Sequence, residues 1–551
     1  MEKQLEELFQ VSQVDNPPEI HGILQTKNYT DFMILSDVGD VIHTFSGAKL
    51  ANKCLPDDHV SWKNGKCELE LRYEHSPIVG TLELTSSTTY GMTKRGYPLY
   101  LCIPYNPSYP PFIVGCSEKD RSKNRIILIK FDEFKGMFPR GNLIQTLGTS
   151  GDYAAEYQAL IWQTVPYVYP KHEFVPERKD DKNPIVLEGF TFNIDPKGCV
   201  DIDDVFTFLK CDNGWLVTIT ISDVAGYVED GSAIDIMASL IGQTLYSADG
   251  TIIRSMLPKE YEQVCSLLPD KKSYGISLQF VWSDNKISQI KWFESVFTNN
   301  RTYTYEEYQE EHPSYPLQEI ASFLAGEPLN DSHKWVEQMM LLYNKEAGNM
   351  LKRAQMGLLR RHSAPDLQRL EEYKQHLPEF THFAYSAAEY CLAEDAETQH
   401  YGLDSRAYTH ASSPIRRYAD IINQRVLKLL IRDTKEQYIV PISMYDMRQR
   451  EKSIKRFARD ADFLKAITDG TEFTGIIMEK SITQNQMTLR IYVHEWKRMV
   501  ITQYTMIDEN TALSRDEQTE INVHLYRPVH ITCAVLLQQR NWKQRIVIHI
   551  Q

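Results

Sequence analysis

Short segments that alternate apolar and polar residues occupy both ends of the chain. They read IHGILQT, DFMILSD, VIHTFSG and CELELRY within residues 19–76, IVGTLEL, PLYLCIP, PFIVGCS and NRIILIKF within 78–147, and EFTGIIM, MTLRIYV, RMVITQY and RIVIHI within 471–551. Alternation with a period of two, interrupted by turn residues, is typical of short antiparallel strands. The pattern predicts three small β-barrels of the OB or cold-shock type around a large central segment.

The central segment mixes strand patterns with helix patterns. WLVTITISDVAGYV and GISLQFVW in its first half are typical of buried strands. Its second half has the 3.6-residue periodicity of amphipathic helices, for example over residues 335–359 and 414–432. The predicted fold class is therefore multidomain, with small β-barrels flanking a central α+β domain.

These segments also predict the domain boundaries. We expect a first cold-shock or OB-type domain at 1–77, a second at 78–165 with a trailing helix, a linker rich in proline and charge at 166–184, the central domain at 185–469, and a third OB-type domain at 470–551.

Composition excludes few classes of protein. The 42% hydrophobic and 24% charged residues are ordinary for a soluble protein, and no apolar run approaches the roughly 18 to 20 residues of a membrane span. The amino terminus lacks the basic flank and apolar core of a signal peptide, and nine cysteines without a CxxC pair indicate reduced thiols. These features predict a cytoplasmic location and no membrane partner, with nuclear and organellar locations left open.

The net charge of −14 is unusual for a protein that binds nucleic acid, but affinity depends on where the basic residues lie. Residues 471–551 hold nine Lys and Arg against eight Asp and Glu, so a locally basic channel is compatible with the counts. OB-folds bind single strands through such grooves and through stacking aromatic rings. The candidate rings are Tyr100, Tyr105, Tyr109, Phe112 and Trp496, although aromatic residues in short strands belong more often to a core.

Four aspartates lie within ten residues, between two predicted strands: Asp195, Asp201, Asp203 and Asp204 in FNIDPKGCVDIDDV. Two carboxylates about 4 Å apart repel by roughly 4 kcal/mol at an effective dielectric constant near 20, so a partly enclosed set of four stays ionised only beside a cation. Carboxylate oxygens suit Mg²⁺ or Mn²⁺ better than Zn²⁺. The four aspartates are therefore candidate ligands of Mg²⁺, with Mn²⁺ as the alternative.

Two other interpretations of this cluster compete with a magnesium site. A solvated turn or a set of helix caps accounts for the spacing alone equally well. A calcium-binding EF-hand loop does not, because counting from Asp201 places Phe206 where glycine is required and Asp212 where glutamate is required. The remainder of the chain favours the metal site.

A second cluster, YTHASSPIRRYAD at 408–420, predicts the start of a helix. Ser413 suits the cap position and Pro414 the first helical position. Arg416 and Arg417 would then oppose the helix dipole, a small cost that a bound phosphate would offset. Pairing of the two arginines with surface carboxylates is the alternative.

Taken in order, these motifs resemble the ribonuclease II/R (RNB) family, which includes the exosome-type exoribonucleases. The resemblance is carried by Asp195-x5-Asp201-x-Asp203-Asp204, ISDVAGYV, CSLLPD, LLRRHSAP and SSPIRRYAD, and it spans nearly the whole chain. It implies RNA-binding barrels around an RNB catalytic domain. The implied activity is 3′-to-5′ hydrolysis of single-stranded RNA to nucleoside 5′-monophosphates, with two-metal magnesium chemistry.

The resemblance also implies roles for single residues. Asp203 and Arg416 would be catalytic, the four aspartates would hold the metal, and RNA would be bound by Tyr246, His410, Ser413, Arg417 and Tyr418. Tyr246 matches an aromatic residue of the family that stacks the 3′-terminal base, and a core tyrosine is the alternative. Single-stranded RNA is the expected partner, no obligate protein partner is inferred, and a monomer is the default state.

The sequence departs from the family pattern at three places. No ring stands near 363–365, where some members have a second aromatic clamp. Ala411 and Ser412 replace the usual phenylalanine and threonine, and Ala458 stands where an acidic residue is common. These changes bear on rate and substrate grip more than on reaction type. A catalytically weak or inactive RNA-binding regulator of the family is therefore one alternative function, and a metal-dependent endonuclease or DNA-directed nuclease is another.

Overall fold

The computed structural model describes residues 19–36, 39–171, 173–179, 183–212, 214–470, 472–513, 520–535 and 546–550. Within them the chain forms nine α-helices, two sheets of seven strands, one sheet of five strands, one closed barrel and two two-stranded ribbons. None of the helices in these ranges is long and apolar enough to cross a membrane.

Two five-stranded structures precede the central domain. The first contains β1 (Ile20–Thr26), β2 (Asp31–Leu35), β3 (Val41–Ser46), β4 (His59–Lys63) and β5 (Lys66–Leu71), in an antiparallel sheet of order β3-β2-β1-β4-β5. The second contains β6 (Ile78–Leu82), β7 (Leu99–Pro104), β8 (Phe112–Gly115), β9 (Arg125–Glu133) and β10 (Arg140–Thr149), in a closed barrel of order β10-β8-β7-β6-β9. Closure of the second sheet leaves no free edge, as in OB-type barrels.

The central domain is built on a seven-stranded sheet. Its strands are β11 (Ile185–Val186), β12 (Phe190–Asp195), β13 (Asp204–Cys211), β14 (Gly214–Ser222), β17 (Lys272–Ser283), β18 (Lys286–Thr298) and β19 (Arg301–Thr304), in the order β11-β18-β17-β14-β13-β12-β19. Two ribbons join β15 (Leu245–Tyr246) to β16 (Ile252–Arg254) and β20 (Leu358–Arg361) to β21 (Glu389–Leu392). The last six residues of β14 are all buried, as the run of Val, Ile and Thr predicts for a strand covered on both faces.

The helices cover this sheet and connect it to the barrels. They are α1 (Tyr153–Thr164), α2 (Ala233–Ile241), α3 (Lys259–Cys265), α4 (Tyr305–Glu311), α5 (Leu317–Ala325), α6 (Ser332–Ala354), α7 (Leu367–His376), α8 (Tyr418–Ile431) and α9 (Met444–Asp469), with 3₁₀ turns at Val224–Gly226, Pro378–Ala384 and Tyr401–Leu403. The predicted helix at 335–359 ends five residues early, because Gln355 and Gly357 have positive φ angles of 53° and 86° and the chain then enters β20.

The carboxy-terminal domain is a seven-stranded sheet. It contains β22 (Glu472–Thr483), β23 (Gln486–Val493), β24 (Arg498–Asp508), β25 (Thr511–Leu513), β26 (Glu520–Asn522), β27 (Pro528–Val535) and β28 (Ile546–Ile550), in the order β26-β25-β24-β23-β22-β27-β28. One apolar cluster joins this sheet, α9, α1 and the closed barrel; Tyr157 of α1 and Phe457 of α9 lie 5.8 Å apart, ring centre to ring centre. The closed barrel and the carboxy-terminal sheet are therefore packed against the central domain.

The predicted linker at 166–184 contains no helix or strand among its described residues. It nevertheless packs against the central domain. The Tyr169 hydroxyl donates to the Met256 carbonyl at 2.7 Å, and the Lys179 amide donates to the Gly226 carbonyl at 2.9 Å. These bonds attach the segment to the loop after β16 and to the 3₁₀ turn at Val224–Gly226.

Most of the aromatic residues that were candidates for base stacking belong to cores. Tyr100, Tyr105, Phe112 and Trp496 are at most 2% exposed, and Tyr109 is partly buried against the core of the closed barrel. A base can stack only on an exposed ring. The core interpretation of the four buried rings is therefore confirmed.

Candidate active site

The four aspartates are gathered at one end of the central sheet. Asp195 is the last residue of β12 and Asp204 is the first residue of β13, and these strands pair side by side. The loop between them carries Asp201 and Asp203. The loop is anchored to the next strand, because the Ser222 amide donates to the Asp203 carbonyl oxygen at 2.8 Å. A ten-residue stretch of sequence thus presents four carboxylates from one edge.

Two of these carboxylates, Asp195 and Asp201, accept hydrogen bonds from side chains. Asp195 accepts a hydrogen bond of 2.8 Å from Asn193, a fully buried amide that also accepts from Asn299 at 2.8 Å. Asp201 accepts a hydrogen bond of 2.8 Å from the Tyr246 hydroxyl. This contact fixes the partly exposed ring of Tyr246 beside the aspartate loop.

Asp203 and Asp204 are held differently. One oxygen of Asp203 accepts from the Ile415 backbone amide at 3.0 Å, and the other lies 3.6 Å from Nε of Arg416. Asp204 has a buried Oδ2 with no hydrogen-bond partner among the described residues. A buried carboxylate oxygen without a donor is costly unless a cation compensates it.

Burial changes the acidity of these groups. It raises the pKa of Asp203 to about 8, although Arg416 and the Ile415 amide act to lower it. Burial also raises the pKa of Asp204 well above its ordinary value, and the nearby Asp195 and Asp203 raise it further. Burial raises the pKa of Asp195 as well. The set needs a positive charge to be fully ionised at neutral pH.

The donor set fits a divalent cation that prefers oxygen. In the described part of the chain, the one group of three or more His, Cys, Asp or Glu ligand atoms lying within 4.8 Å of one another is Glu19, His21 and Glu70, all exposed on the first sheet. No three of the four aspartates bring carboxylate oxygens within this distance of one another. The buried, unpartnered oxygen of Asp204 remains available as a ligand for such a cation.

Helix α8 begins later than the sequence predicts. It starts at Tyr418, and the predicted cap by the Ser413 side chain is wrong. The Tyr418 amide donates to the Gly242 carbonyl, and the Thr244 amide donates to the Arg416 carbonyl, each at 3.0 Å. These long-range bonds hold the backbone extended just before the helix. Arg416 therefore lies in a turn and Arg417 is extended at the cap position, so neither arginine is in the first helical turn. We call residues 414–417 the arginine turn.

The two adjacent arginines have different surroundings. Arg417 makes two hydrogen bonds to the buried Asp420, at 3.0 and 2.8 Å. This arginine is therefore paired with a carboxylate. The side chain of Arg416 is 48% exposed and donates to the Ser413 hydroxyl at 3.3 Å. Arg416 can therefore approach both Asp203 and an anionic ligand.

The remaining candidates divide between a cavity and the core. His410 contacts the Tyr390 hydroxyl at 2.8 Å and lines a cavity next to the turn, together with Arg417. Tyr418 is 1% exposed and lies within the core. The structure thus brings Tyr246, Ser413 and Arg416 close to the aspartate loop and buries the ring of Tyr418.

Sequence reasoning missed three supports of this site. The Ile415 amide could not be found, because every residue type carries the same backbone group. Asp420 lies within the quoted motif but received no role. Asn344 of α6 accepts from the Ala411 amide at 2.9 Å and donates to the Ser412 hydroxyl at 3.0 Å. An asparagine among the apolar positions of this helix could have indicated the support, because a buried amide needs hydrogen-bond partners.

The family model of the RNB domain matches residues 186–314 and 312–433, which contain the aspartate loop and the arginine turn. The human exosome complex exonuclease RRP44 is 25% identical over 429 aligned residues, which cover 60% of this chain and 44% of that protein. Ribonuclease R of Vibrio parahaemolyticus is 26% identical over 381 aligned residues, covering 53% of this chain and 45% of that protein. The chain thus spans about half the length of these curated relatives.

Solved structures show the same architecture. Ribonuclease R of Mycoplasma genitalium, in complex with ribose-methylated single-stranded RNA, superimposes with a TM-score of 0.68 at 16% identity, covering 97% of this chain and 100% of that chain. Yeast Ssd1, a pseudonuclease, superimposes with a TM-score of 0.60 at 16% identity, covering 97% and 83%. The predicted fold class is confirmed. The chain contains an RNB domain, and the resemblance of its motifs to the ribonuclease II/R family is confirmed.

Proposed function

We propose that this protein is a 3′-to-5′ exoribonuclease that hydrolyses single-stranded RNA to nucleoside 5′-monophosphates with Mg²⁺, or Mn²⁺ in its place. One observation carries the proposal: four carboxylates, one of them with a buried and unpartnered oxygen, share the end of two paired strands with a half-exposed arginine. The relatives named exonuclease and ribonuclease support it.

The metal would be held by Asp195, Asp201, Asp203 and Asp204. When bound, it supplies positive charge that activates water and stabilises the reacting phosphate. The chain itself orients Asp203 through the Ile415 amide at 3.0 Å, so this carboxylate keeps one direction whether it is protonated or ionised. We infer that Asp203 is the carboxylate on which the reaction depends most.

Arg416 would stabilise charge on the scissile phosphate. A guanidinium stays ionised at every relevant pH and offers forked donors to phosphate oxygens. Its contact with the Ser413 hydroxyl limits its rotation before RNA binds. Donors fixed in advance are worth more than donors that must reorganise during the reaction.

Tyr246 would recognise the 3′-terminal base. Its hydroxyl is tied to Asp201 at 2.8 Å while its ring stays partly exposed, which favours a stacking role over a core role. Stacking is worth about 1–3 kcal/mol per base and accepts any sequence. An enzyme that shortens RNA from one end needs such tolerance at each step.

The direct test is a denaturing gel of 5′-labelled single-stranded RNA incubated with the protein in Mg²⁺ or in EDTA. We expect a metal-dependent ladder that shortens from the 3′ end, and a circular RNA of the same sequence should stay intact. Cleavage of the circle would reject exonuclease action and favour an endonuclease. Equal degradation of a DNA strand would reject the RNA substrate.

A non-catalytic RNA-binding protein is the second candidate. It is favoured by the structural similarity to Ssd1, a pseudonuclease, and by Ala411 and Ser412 beside the arginine turn. The presence of all four aspartates and Arg416 argues against it. RNA that shifts on a native gel but stays intact with Mg²⁺ would establish this function in place of the first.

A further inference from the structure

A cavity of about 240 Å³ lies between the arginine turn and helix α9. Its cationic lining residues are Arg360, Arg417, Arg450 and Lys455. The volume is below the roughly 300–1,000 Å³ of pockets that hold drug-sized ligands. A water occupies about 30 Å³ of liquid, so the cavity has room for one small polar group with a few waters.

The lining carries an excess of positive charge. Glu451 is the one carboxylate among the lining residues, and it pairs with both Arg360 at 2.9 Å and Lys455 at 2.8 Å. Asp420 forms an ion pair with Arg417 and so compensates its positive charge. Four cations thus face two carboxylates, and nothing among these residues balances Arg450, whose guanidinium donates to the neutral Ser239 carbonyl.

Arg360 provides an independent sign of a missing ligand. It is only 5% exposed, and its Nη1 has no hydrogen-bond partner in the described ranges. Its Nη2 donates to the Ala388 carbonyl at 2.9 Å, and its guanidinium lies 4.3 Å from the centre of the Tyr390 ring. Leaving a buried donor unsatisfied is costly, so an acceptor is expected in the cavity.

The pKa of the neighbouring His410 is consistent with a positively charged cavity. Burial lowers the pKa of His410 well below its ordinary value, and Arg417 and Arg360 lower it further. A second positive charge is therefore disfavoured at His410, and the neutral ring remains available for hydrogen bonding. Forked guanidinium donors beside a neutral imidazole are suited to the tetrahedral oxygens of a phosphate.

We propose that this cavity is a phosphate-binding site distinct from the aspartate loop, formed by Arg360, Arg450 and Lys455 together with Arg417. Its ligand is the phosphate of an RNA backbone or of a free nucleoside 5′-monophosphate. Arg416 and Arg417 are consecutive in the chain, so the turn presents one guanidinium to the carboxylates and the next to the cavity. The RNA source rests on the proposed function, whereas binding of a free phosphate monoester does not.

The test uses the full chain in EDTA, so that binding is measured without hydrolysis. Arg450→Gln and Lys455→Gln remove a cavity charge, and the control variants Arg456→Gln and Lys452→Gln remove the same charges from positions of the same helix that do not line the cavity. Adenosine 5′-monophosphate and inorganic phosphate are titrated calorimetrically, and a fluorescent single-stranded RNA is titrated by anisotropy. Thermal unfolding checks that each variant is folded.

We expect the two cavity variants to bind at least one of the three probes roughly tenfold more weakly than the two control variants do. Weaker binding of the monophosphate supports the proposal and identifies a free ligand; weaker binding of RNA alone supports it and identifies the backbone. Cavity variants that bind all three probes like their controls would overturn it. If the wild-type protein has no nuclease activity but the cavity variants still bind a probe more weakly than their controls, the proposed function is rejected. The phosphate site is then still supported.

Discussion

Asp203→Asn should make the metal-free protein more stable while it abolishes hydrolysis. Burial raises the pKa of Asp203 from 3.8 to about 8, and Arg416 offsets only part of this effect. The folded protein therefore keeps a proton there that the unfolded chain releases above about pH 4. An asparagine is neutral at every pH, and its amide oxygen can still accept from the Ile415 amide.

The magnitude follows from these two pKa values. Each tenfold difference in proton affinity is worth about 1.4 kcal/mol. The stability contributed by protonated Asp203 is fully present below pH 4 and is lost as the pH rises through about 8. The loss reaches roughly 1–2 kcal/mol at pH 5 and at most roughly 4 kcal/mol at pH 7. The asparagine variant should escape this loss, so its advantage should grow with pH.

The assay is chemical or thermal unfolding in EDTA at pH 5, 7 and 8, with Asp223→Asn as the matched control. Asp223 is equally buried, but Lys428 bonds it at 2.6 and 2.8 Å and Arg178 bonds it at 2.6 Å. Although burial acts to raise the pKa of Asp223, these two cations lower it below its ordinary value. Asp223→Asn should therefore destabilise the protein, by roughly 3–5 kcal/mol.

Two results would refute this reasoning. One is an Asp203→Asn variant that is less stable than the wild type at pH 8 in EDTA; the other is a stability gain that is the same at pH 5 and pH 8. Excess Mg²⁺ should reverse the order, because a ligand that binds only the folded state stabilises the wild type by mass action. The variant, which lacks one ligand charge, should gain less.

Three further predictions concern neighbouring groups. Arg416→Lys should slow hydrolysis roughly a hundredfold in single-turnover assays, because an ammonium lacks forked donors, while RNA affinity measured separately stays similar. Tyr246→Ala should lengthen the final RNA fragment on a sequencing gel and Tyr246→Phe should not, since only the former removes the ring; identical fragments from both would favour a core role. Asp420→Asn should lower the free energy of unfolding in urea by roughly 3–5 kcal/mol, because Arg417 loses its partner, and a smaller change would mean that the arginine finds other acceptors.

Local pattern was sufficient for much of the fold. Alternating segments predicted the strands of the closed barrel and of the carboxy-terminal sheet, because a two-residue period can bury only one face of a strand. The central strand β14 could also be predicted, because an unbroken run of Val, Ile and Thr is typical of a strand that is buried on both faces. Local preference failed at Ser413, where bonds from the Gly242–Thr244 segment outweighed a suitable cap residue.

The sequence by itself determined the candidate chemistry. Asp195 to Asp204 span one loop between paired strands, so residues that are close in the chain are also close in space, and their carboxylate oxygens predict a site for a divalent cation. Arg416 could be nominated from its motif.

Only the tertiary structure decided how these groups are held. The contact between Ile415 and Asp203 joins residues 212 positions apart, and Lys428 meets Asp223 across 205 positions. The first of these uses a backbone amide that every residue type shares, and the cavity around Arg360 requires α9 to pack on the arginine turn. Such pairings depend on chain closure over long loops, so no local pattern in the sequence specifies them.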